Sequence, residues 1–104
     1  MTKHSTSGVL KNAIDYLYQE WNNKAAGFVS YGAAGGVRAV AHLRLVASEL
    51  QLATVRAQVS LSFYLDFEDF RTLKPSEPQH VALTGLFDQL VSWSRALEKV
   101  RLTA

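Results

Sequence analysis

The residues of this chain best suited to chemistry lie in Phe28-Val29-Ser30-Tyr31-Gly32-Ala33-Ala34-Gly35-Gly36-Val37-Arg38, where an apolar run enters a glycine-rich turn and then a helical pattern. In open α/β sheets the crevice beyond the carboxyl ends of the strands takes flat cofactors and nucleotides, and glycine lets the backbone come close to such a ligand. The spacing Gly-x-x-Gly-Gly also occurs in plain strand-to-helix turns. Alone, the pattern names a place and leaves its use open.

Other constellations carry less. Lys11, Asn12 and Asp15 form a polar cluster, but Lys11 and Asp15 are spaced i,i+4, so a solvent-side ion pair accounts for them without catalysis. His4, His42 and His80 sit in separate segments without metal-ligand spacing, and no metal site follows. Ser30 has no Gly-x-Ser-x-Gly elbow, which argues against a serine hydrolase. The sequence has no cysteine, excluding disulfides, thiolate metal sites and cysteine nucleophiles together. Asp66-Phe67-Glu68-Asp69-Phe70 reads as a lid over a ligand or as a packing flap. Tyr16, Tyr18 and Trp21 read as core or as a subunit contact. Trp93 and Arg95 read as helix surface.

Composition limits what these residues can serve. The 104 residues, 48% hydrophobic, describe one domain able to bury a core. Eleven basic against nine acidic residues give a net charge of +2, and the basic ones are scattered, so nucleic acid is not an expected partner. No apolar run reaches the roughly 18 residues of a membrane span, and the start lacks the apolar core of a signal peptide. A cytoplasmic location is the default expectation.

Spacing predicts a helix over 7–22, with Leu10, Ala13, Ile14, Leu17 and Trp21 on one face and Ser7 able to cap it. Residues 25–30 read as a strand buried on both faces. A helix over 36–50 follows, then a strand over 53–59 whose polar Thr54, Arg56 and Gln58 alternate as an edge strand would. Residues 62–80 hold both prolines and read as a long loop. A final helix spans 81–102, in which Gly85 costs about 1 kcal/mol relative to alanine. The order helix-strand-helix-strand-loop-helix makes a βαβ crossover flanked by helices. Two parallel strands are a poor sheet, so something is expected beside the Ala25 to Ser30 edge.

Ser5-Thr6-Ser7-Gly8-Val9-Leu10-Lys11-Asn12-Ala13-Ile14-Asp15-Tyr16-Leu17, then Phe28-Val29-Ser30-Tyr31-Gly32, Gly35-Gly36-Val37-Arg38-Ala39 and Leu43-Arg44-Leu45-Val46 closely resemble the C-terminal part of the NADPH-dependent FMN reductase family. The resemblance covers nearly the whole chain. It implies an α/β fold, the C-terminal part of a flavodoxin-like parallel sheet sandwich, with residues 1–104 a single partial domain. The family's first strand, its Gly-Ser-x-Arg phosphate loop, a helix and two further strands would precede Met1, so the chain is expected to be an N-terminally truncated member. A start upstream of Met1 is the other possibility.

The function implied is NAD(P)H-dependent reduction of FMN, or of an acceptor through bound FMN, by hydride transfer, with FMN and NADPH as cofactors. Carried over residue by residue, Ser30, Tyr31, Gly32, Gly35 and Gly36 would hold the isoalloxazine edge, with Tyr31 also able to lie against the ring. The family's Pro-Glu-Tyr-Asn segment would fall just before His4, where Met1, Thr2 and Lys3 stand, so only His4, Ser5 and Thr6 could continue that half of the site. Phosphate binding by a loop and helix N-terminus is a main anchor for a mononucleotide, so the chain alone is expected to bind FMN weakly or not at all. The partners implied are a small-molecule electron acceptor (free flavin, quinone, chromate or azo compound) and a second copy, in a homodimer or higher oligomer. The alternative is a non-catalytic α/β interaction module that has lost flavin binding.

Overall fold

The computed structural model describes residues 5–74 and 76–103. The elements run α1 (Gly8–Asp15), a short 3-10 turn (Gln19–Trp21), β1 (Lys24–Gly32), α2 (Val37–Glu49), β2 (Leu52–Ser62), β3 (Phe67–Glu68), β4 (Thr72–Leu73) and α3 (Glu77–Thr103). β1 and β2 form a two-stranded parallel sheet joined through α2, while β3 and β4 form a small antiparallel hairpin. The architecture is mixed α/β, consistent with part of a flavodoxin-like fold. Among the described residues, β1 pairs with no strand other than β2.

The sheet divides two layers. Val55, Val59 and Leu61 on one face of β2 form a buried cluster with Leu86 of α3, flanked by Ala57, Phe67, Ala82, Leu83 and Leu90. On the other face α2 buries Ala39, Val40 and Ala47. Alternate residues of a strand point to opposite faces, so the odd positions of β2 meet α3 and the even ones turn toward α2.

The ladder is interrupted in its middle. Ala26 pairs with Thr54 and Phe28 with Gln58, so Gly27 alone stands opposite Val55, Arg56 and Ala57. The extra residues bulge out of the ladder and leave backbone groups without strand partners. Side chains from both helices supply the bonds. Arg44 of α2 donates from Nη1 to the Val55 carbonyl (2.9 Å) and from Nη2 to the Arg56 carbonyl (3.3 Å), and Gln89 of α3 accepts from the Ala57 N–H at Oε1 (2.9 Å). A Cβ on Gly27 would lie 2.6 Å from Leu86 Cδ1, so the missing side chain lets α3 close on the bulge.

Two segments differ from the expected elements. Instead of one helix over 7–22, α1 stops at Asp15 and a 3-10 turn resumes at Gln19. The Ile14 carbonyl, which a continuing helix would offer to the N–H of residue 18, instead accepts from the Leu17 N–H (3.2 Å) and the Trp21 indole (3.1 Å). The expected loop 62–80 contains the end of β2, the hairpin and the first turn of α3. Pro78 lies in that first turn, where its missing N–H removes no helical bond.

The expected ion pair on α1 is present, with Lys11 Nζ 2.7 Å from Asp15 Oδ2 on an exposed face. Gly85 lies within α3 with nothing within 4 Å of where its Cβ would stand. Gly85→Ala is therefore expected to stabilise the chain by about 0.5–1 kcal/mol, read as a higher urea midpoint. An unchanged or lower midpoint would contradict this.

Candidate functional site

β1 delivers the glycine turn to the carboxyl end of the sheet. Its last register pairs, Ser30 with Ser60, Tyr31 with Leu61 and Gly32 with Ser62, place the turn beside the end of β2. The Gly32 carbonyl accepts from the Gly35 N–H and from the Phe63 N–H, both at 3.1 Å, which ties the turn to itself and to the segment leaving β2. Ser30 Oγ donates to the Gly35 carbonyl at 2.6 Å, so the Ser30 hydroxyl braces the turn from below.

Gly35 and Gly36 both adopt left-handed backbone, with φ of 75° and 72°. A Cβ on Gly36 would stand 2.9 Å from Ser30 Cβ and 3.1 Å from the Tyr31 carbonyl oxygen. The glycine pair thus lets the turn lie directly on the strand ends. Gly36 then caps α2 without a side chain of its own. The first N–H groups of a helix have no intrahelical acceptor, so the amino end of α2 presents backbone donors and the positive end of its dipole at the carboxyl end of the sheet.

Ala33 and Ala34 are exposed along the turn, and Tyr31 is 60% exposed at its side. The Tyr31 ring packs against Phe63 (centroids 5.7 Å apart, 74° between planes) and Phe67 (6.0 Å). The aromatic stretch after β2 therefore backs the site instead of wandering as a free loop. Its base is fixed by Asp66, which is buried at 2% exposure. Asp66 Oδ2 accepts from the Ser62 N–H (2.9 Å) and from Gln79 Nε2 (3.3 Å), and the Asp66 carbonyl accepts from the Lys74 N–H.

Of the residues singled out in the sequence, Ser30, Tyr31, Gly32, Gly35 and Gly36 come together at this one end of the sheet. Ser5 and Thr6 precede α1, and Ser5 Oγ shares a 2.7 Å hydrogen bond with Nδ1 of His42 on α2. His4 lies outside the described residues. His80 sits on α3 away from His42, and among the described residues no group of His, Asp and Glu is arranged to hold a metal ion. The sequence reading missed the bracing of the turn by Ser30, the Asp66 anchor and the Ser5–His42 link, all of which depend on which distant residues meet. A separate apolar cleft lined by Ile14, Trp21, Phe28, Leu43, Val46 and Leu52 lies toward the amino ends of the strands and offers no reactive group. No described helix is long and apolar enough to cross a membrane.

Residues 1–66 match the sequence profile of the NADPH-dependent FMN reductases. Over 93 residues the chain is 40% identical to the NAD(P)H-dependent FMN reductase C4B3.06c of Schizosaccharomyces pombe, covering 89% of this chain and 40% of that relative. It is also 54% identical over 37 residues to the NAD(P)H-dependent FMN reductase ntnL of a Nectria species, covering 36% of this chain and 18% of that protein. The NAD(P)H-dependent FMN reductase LOT6 of Saccharomyces cerevisiae is 46% identical over 46 residues, 44% of this chain and 24% of that protein. The chain thus spans at most 40% of the length of these curated relatives.

Proposed function

Since this chain belongs to the NADPH-dependent FMN reductase family, we propose that it contributes the flavin-ring cradle of an NAD(P)H-dependent oxidoreductase. The observation that carries the reading is the glycine turn at the carboxyl end of β1, which lies inside the span matching the family.

The donors present suit the polar edge of an isoalloxazine. That edge carries carbonyl oxygens and ring nitrogens, which ask for backbone N–H donors close to a flat surface. The turn 32–36 and the amino end of α2 supply such donors without a bulky side chain in the way. Gly32, Gly35 and Gly36 would let the ring edge approach the backbone. Ser30 would act by holding the turn in shape, since its proton already goes to Gly35. Tyr31, kept upright by Phe63 and Phe67, would border the ring at its side. Ser5 and Thr6 would continue the site from the segment before α1, with His42 holding Ser5.

When bound, FMN supplies the redox chemistry, accepting hydride from NAD(P)H and passing electrons on. The chain's own task would be orientation and electrostatics: the N–H donors of the turn and the positive end of the α2 dipole would stabilise negative charge gathering on a ring edge held there. The sequence contains no Gly-Ser-x-Arg phosphate loop. Residues 1–104 taken by themselves are therefore expected to bind FMN weakly. A second copy covering the exposed apolar surface of α3, where Phe87 is 54% and Val91 48% exposed, fits an oligomeric reductase.

Titration of the isotope-labelled chain with FMN tests the reading. Amide shifts are expected in residues 30–38, without saturation at equimolar flavin. A folded, colourless chain whose 30–38 amides do not move at millimolar FMN would instead favour a scaffold that binds no flavin.

A further inference from the structure

We propose that a second copy of this chain docks antiparallel along the exposed face of α3, with Val81 against the partner's Leu102 and Asp88 against the partner's Arg95. The proposal fixes the orientation and register of a contact between copies, and it stands apart from flavin binding.

α3 runs for 27 residues, about 40 Å, and only one side of it meets the sheet. Leu86 is buried on that side with Ala82, Leu83 and Leu90 beside it, and further along Arg101 turns inward to donate from Nη1 to the Asn23 carbonyl at 2.8 Å. Successive helical residues are turned by about 100°, which sets Asp88 and Arg95 on the side opposite Leu86. Val81, Asp88, Arg95 and Leu102 recur every seven residues and form one line there, drifting by only about 20° at each step. Thr84 and Val91 fill the alternate places, and all six residues are exposed.

The order of types along the line decides what can cover it. It reads valine, aspartate, arginine, leucine, and end to end it reads leucine, arginine, aspartate, valine. Laid antiparallel on itself it sets apolar against apolar and acid against base, and a two-fold contact repeats each pair. A parallel arrangement would oppose Asp88 to Asp88 and Arg95 to Arg95, which like charges disfavour. Within the chain these charges are not engaged: the ion pairs among the described residues join Lys11 to Asp15 and Lys74 to Glu68. Asp88 and Arg95 stand roughly 10 Å apart along their own helix, out of each other's reach.

Shape agrees with charge. A shallow groove follows the amino-terminal half of the line, lined by Glu77, His80, Val81, Thr84, Gly85 and Asp88, and nothing stands within 4 Å of where a Gly85 Cβ would be. Val81 gives it an apolar lining between the acids Glu77 and Asp88. The carboxyl-terminal half offers the counterpart, with Leu102 at 78% exposure preceded by the exposed cations Arg95 and Lys99. Each copy thus brings a leucine and two cations to the other's acidic groove, and the contact closes as a dimer. Spacing by sevens lets two such helices stay in register while crossing at a small angle.

Sedimentation velocity of the 104-residue chain and three variants tests the pairing. The parent is expected to dimerise, and more weakly as salt is raised. Asp88→Arg and Arg95→Asp are each expected to weaken the dimer at least about tenfold, since each opposes like charges at two places. The double variant carrying both substitutions exchanges the charges and is expected to return to within about threefold of the parent. Both positions are exposed, so urea midpoints of the dilute variants are expected to stay near parental. The proposal is overturned by a parent that stays monomeric at millimolar concentration or by a double variant as weak as the singles. A dimer indifferent to the single reversals overturns it too, moving the contact to another face such as the edge of β1 away from β2. Absent FMN shifts at residues 30–38 beside a dimer that obeys the charge exchange would remove the reductase reading and leave this contact standing.

Discussion

Gly36→Ala is expected to destabilise the chain by about 2–4 kcal/mol and to abolish the FMN-induced shifts of residues 30–38. The first contribution is conformational. With φ at 72° the position is left-handed, and an L-residue there costs roughly 1–2 kcal/mol. The second is steric, because the new Cβ would stand 2.9 Å from Ser30 Cβ and 3.1 Å from the Tyr31 carbonyl oxygen. Neither neighbour retreats easily. Ser30 and Tyr31 pair with β2 in the register of the sheet, and Ser30 Oγ is engaged with Gly35. Relief must come from the turn lifting off the strand end, which also lengthens the bonds that the Gly32 carbonyl receives from Gly35 and Phe63.

Two further variants separate the contributions. Asparagine tolerates the left-handed region better than alanine but fills more space, so Gly36→Asn should remain as destabilised as Gly36→Ala if crowding dominates. Gly8→Ala, whose Cβ meets nothing within 4 Å at the start of α1, should stay within about 0.5 kcal/mol of the parent. Urea midpoints measure all three. A Gly36→Ala chain of parental stability that still shows the FMN shifts would remove the turn from the argument.

What was legible in the sequence is what short-range periodicity controls. The apolar run before the glycine turn, the amphipathic segment after it and the alternation of the second strand each follow from chemistry within a few residues, and β1, α2 and β2 stand where those patterns lie. The bulge in β2 was invisible for a definite reason. Opposite Gly27 the strand carries three residues instead of one, and an even number of extra residues leaves the inside-outside alternation unchanged. The β3–β4 turn escaped for a different reason. Its left-handed positions are Asp69 and Phe70, without the glycine or asparagine that usually marks such a turn.

The site was legible to a similar depth. A glycine-rich turn after a strand says where a flat ligand could lie, and the residues of that turn do gather at one end of the sheet. The surroundings were not readable. Asp66 meets Gln79 across 13 positions and Ser5 meets His42 across 37, and such pairings are set by packing of whole elements, not by local pattern. The 66–70 stretch reads from sequence as a lid or a packing flap, without any sign of which acid is enclosed; Asp66 is buried because its carboxylate accepts bonds that the end of β2 must otherwise leave unmade.

Arg44→Ala is expected to be as damaging as Gly36→Ala, at about 2–4 kcal/mol, although Arg44 lies about two turns along α2 from the glycine turn and makes no hydrogen bond to it. A guanidinium offers five N–H donors in a planar fork, and here Nη1 and Nη2 serve the Val55 and Arg56 carbonyls while Nε and Nη2 both reach Gln58 Oε1, at 3.3 Å and 3.0 Å. The same group lies over the Phe28 ring, 5.2 Å from its centroid. Truncation leaves the part-buried Val55 carbonyl without its arginine donor, gives up the more exposed bond to the Arg56 carbonyl, and removes a charge-assisted set worth about 1.5–3 kcal/mol, with the cation–π contact adding about 0.5–1 kcal/mol. Arg44→Lys should recover only a minority of this, since an ammonium cannot fork between two carbonyls and an amide while stacking on a ring. The bulge separates the two halves of the β1–β2 ladder, so its loosening should reach the glycine turn as well. Hydrogen exchange is therefore expected to quicken at residues 28–32 in Arg44→Ala, on the strand that receives no hydrogen bond from Arg44. Parental exchange there, together with a loss below about 1 kcal/mol, would mean that the bulge is held by the strands themselves and that the arginine only decorates it.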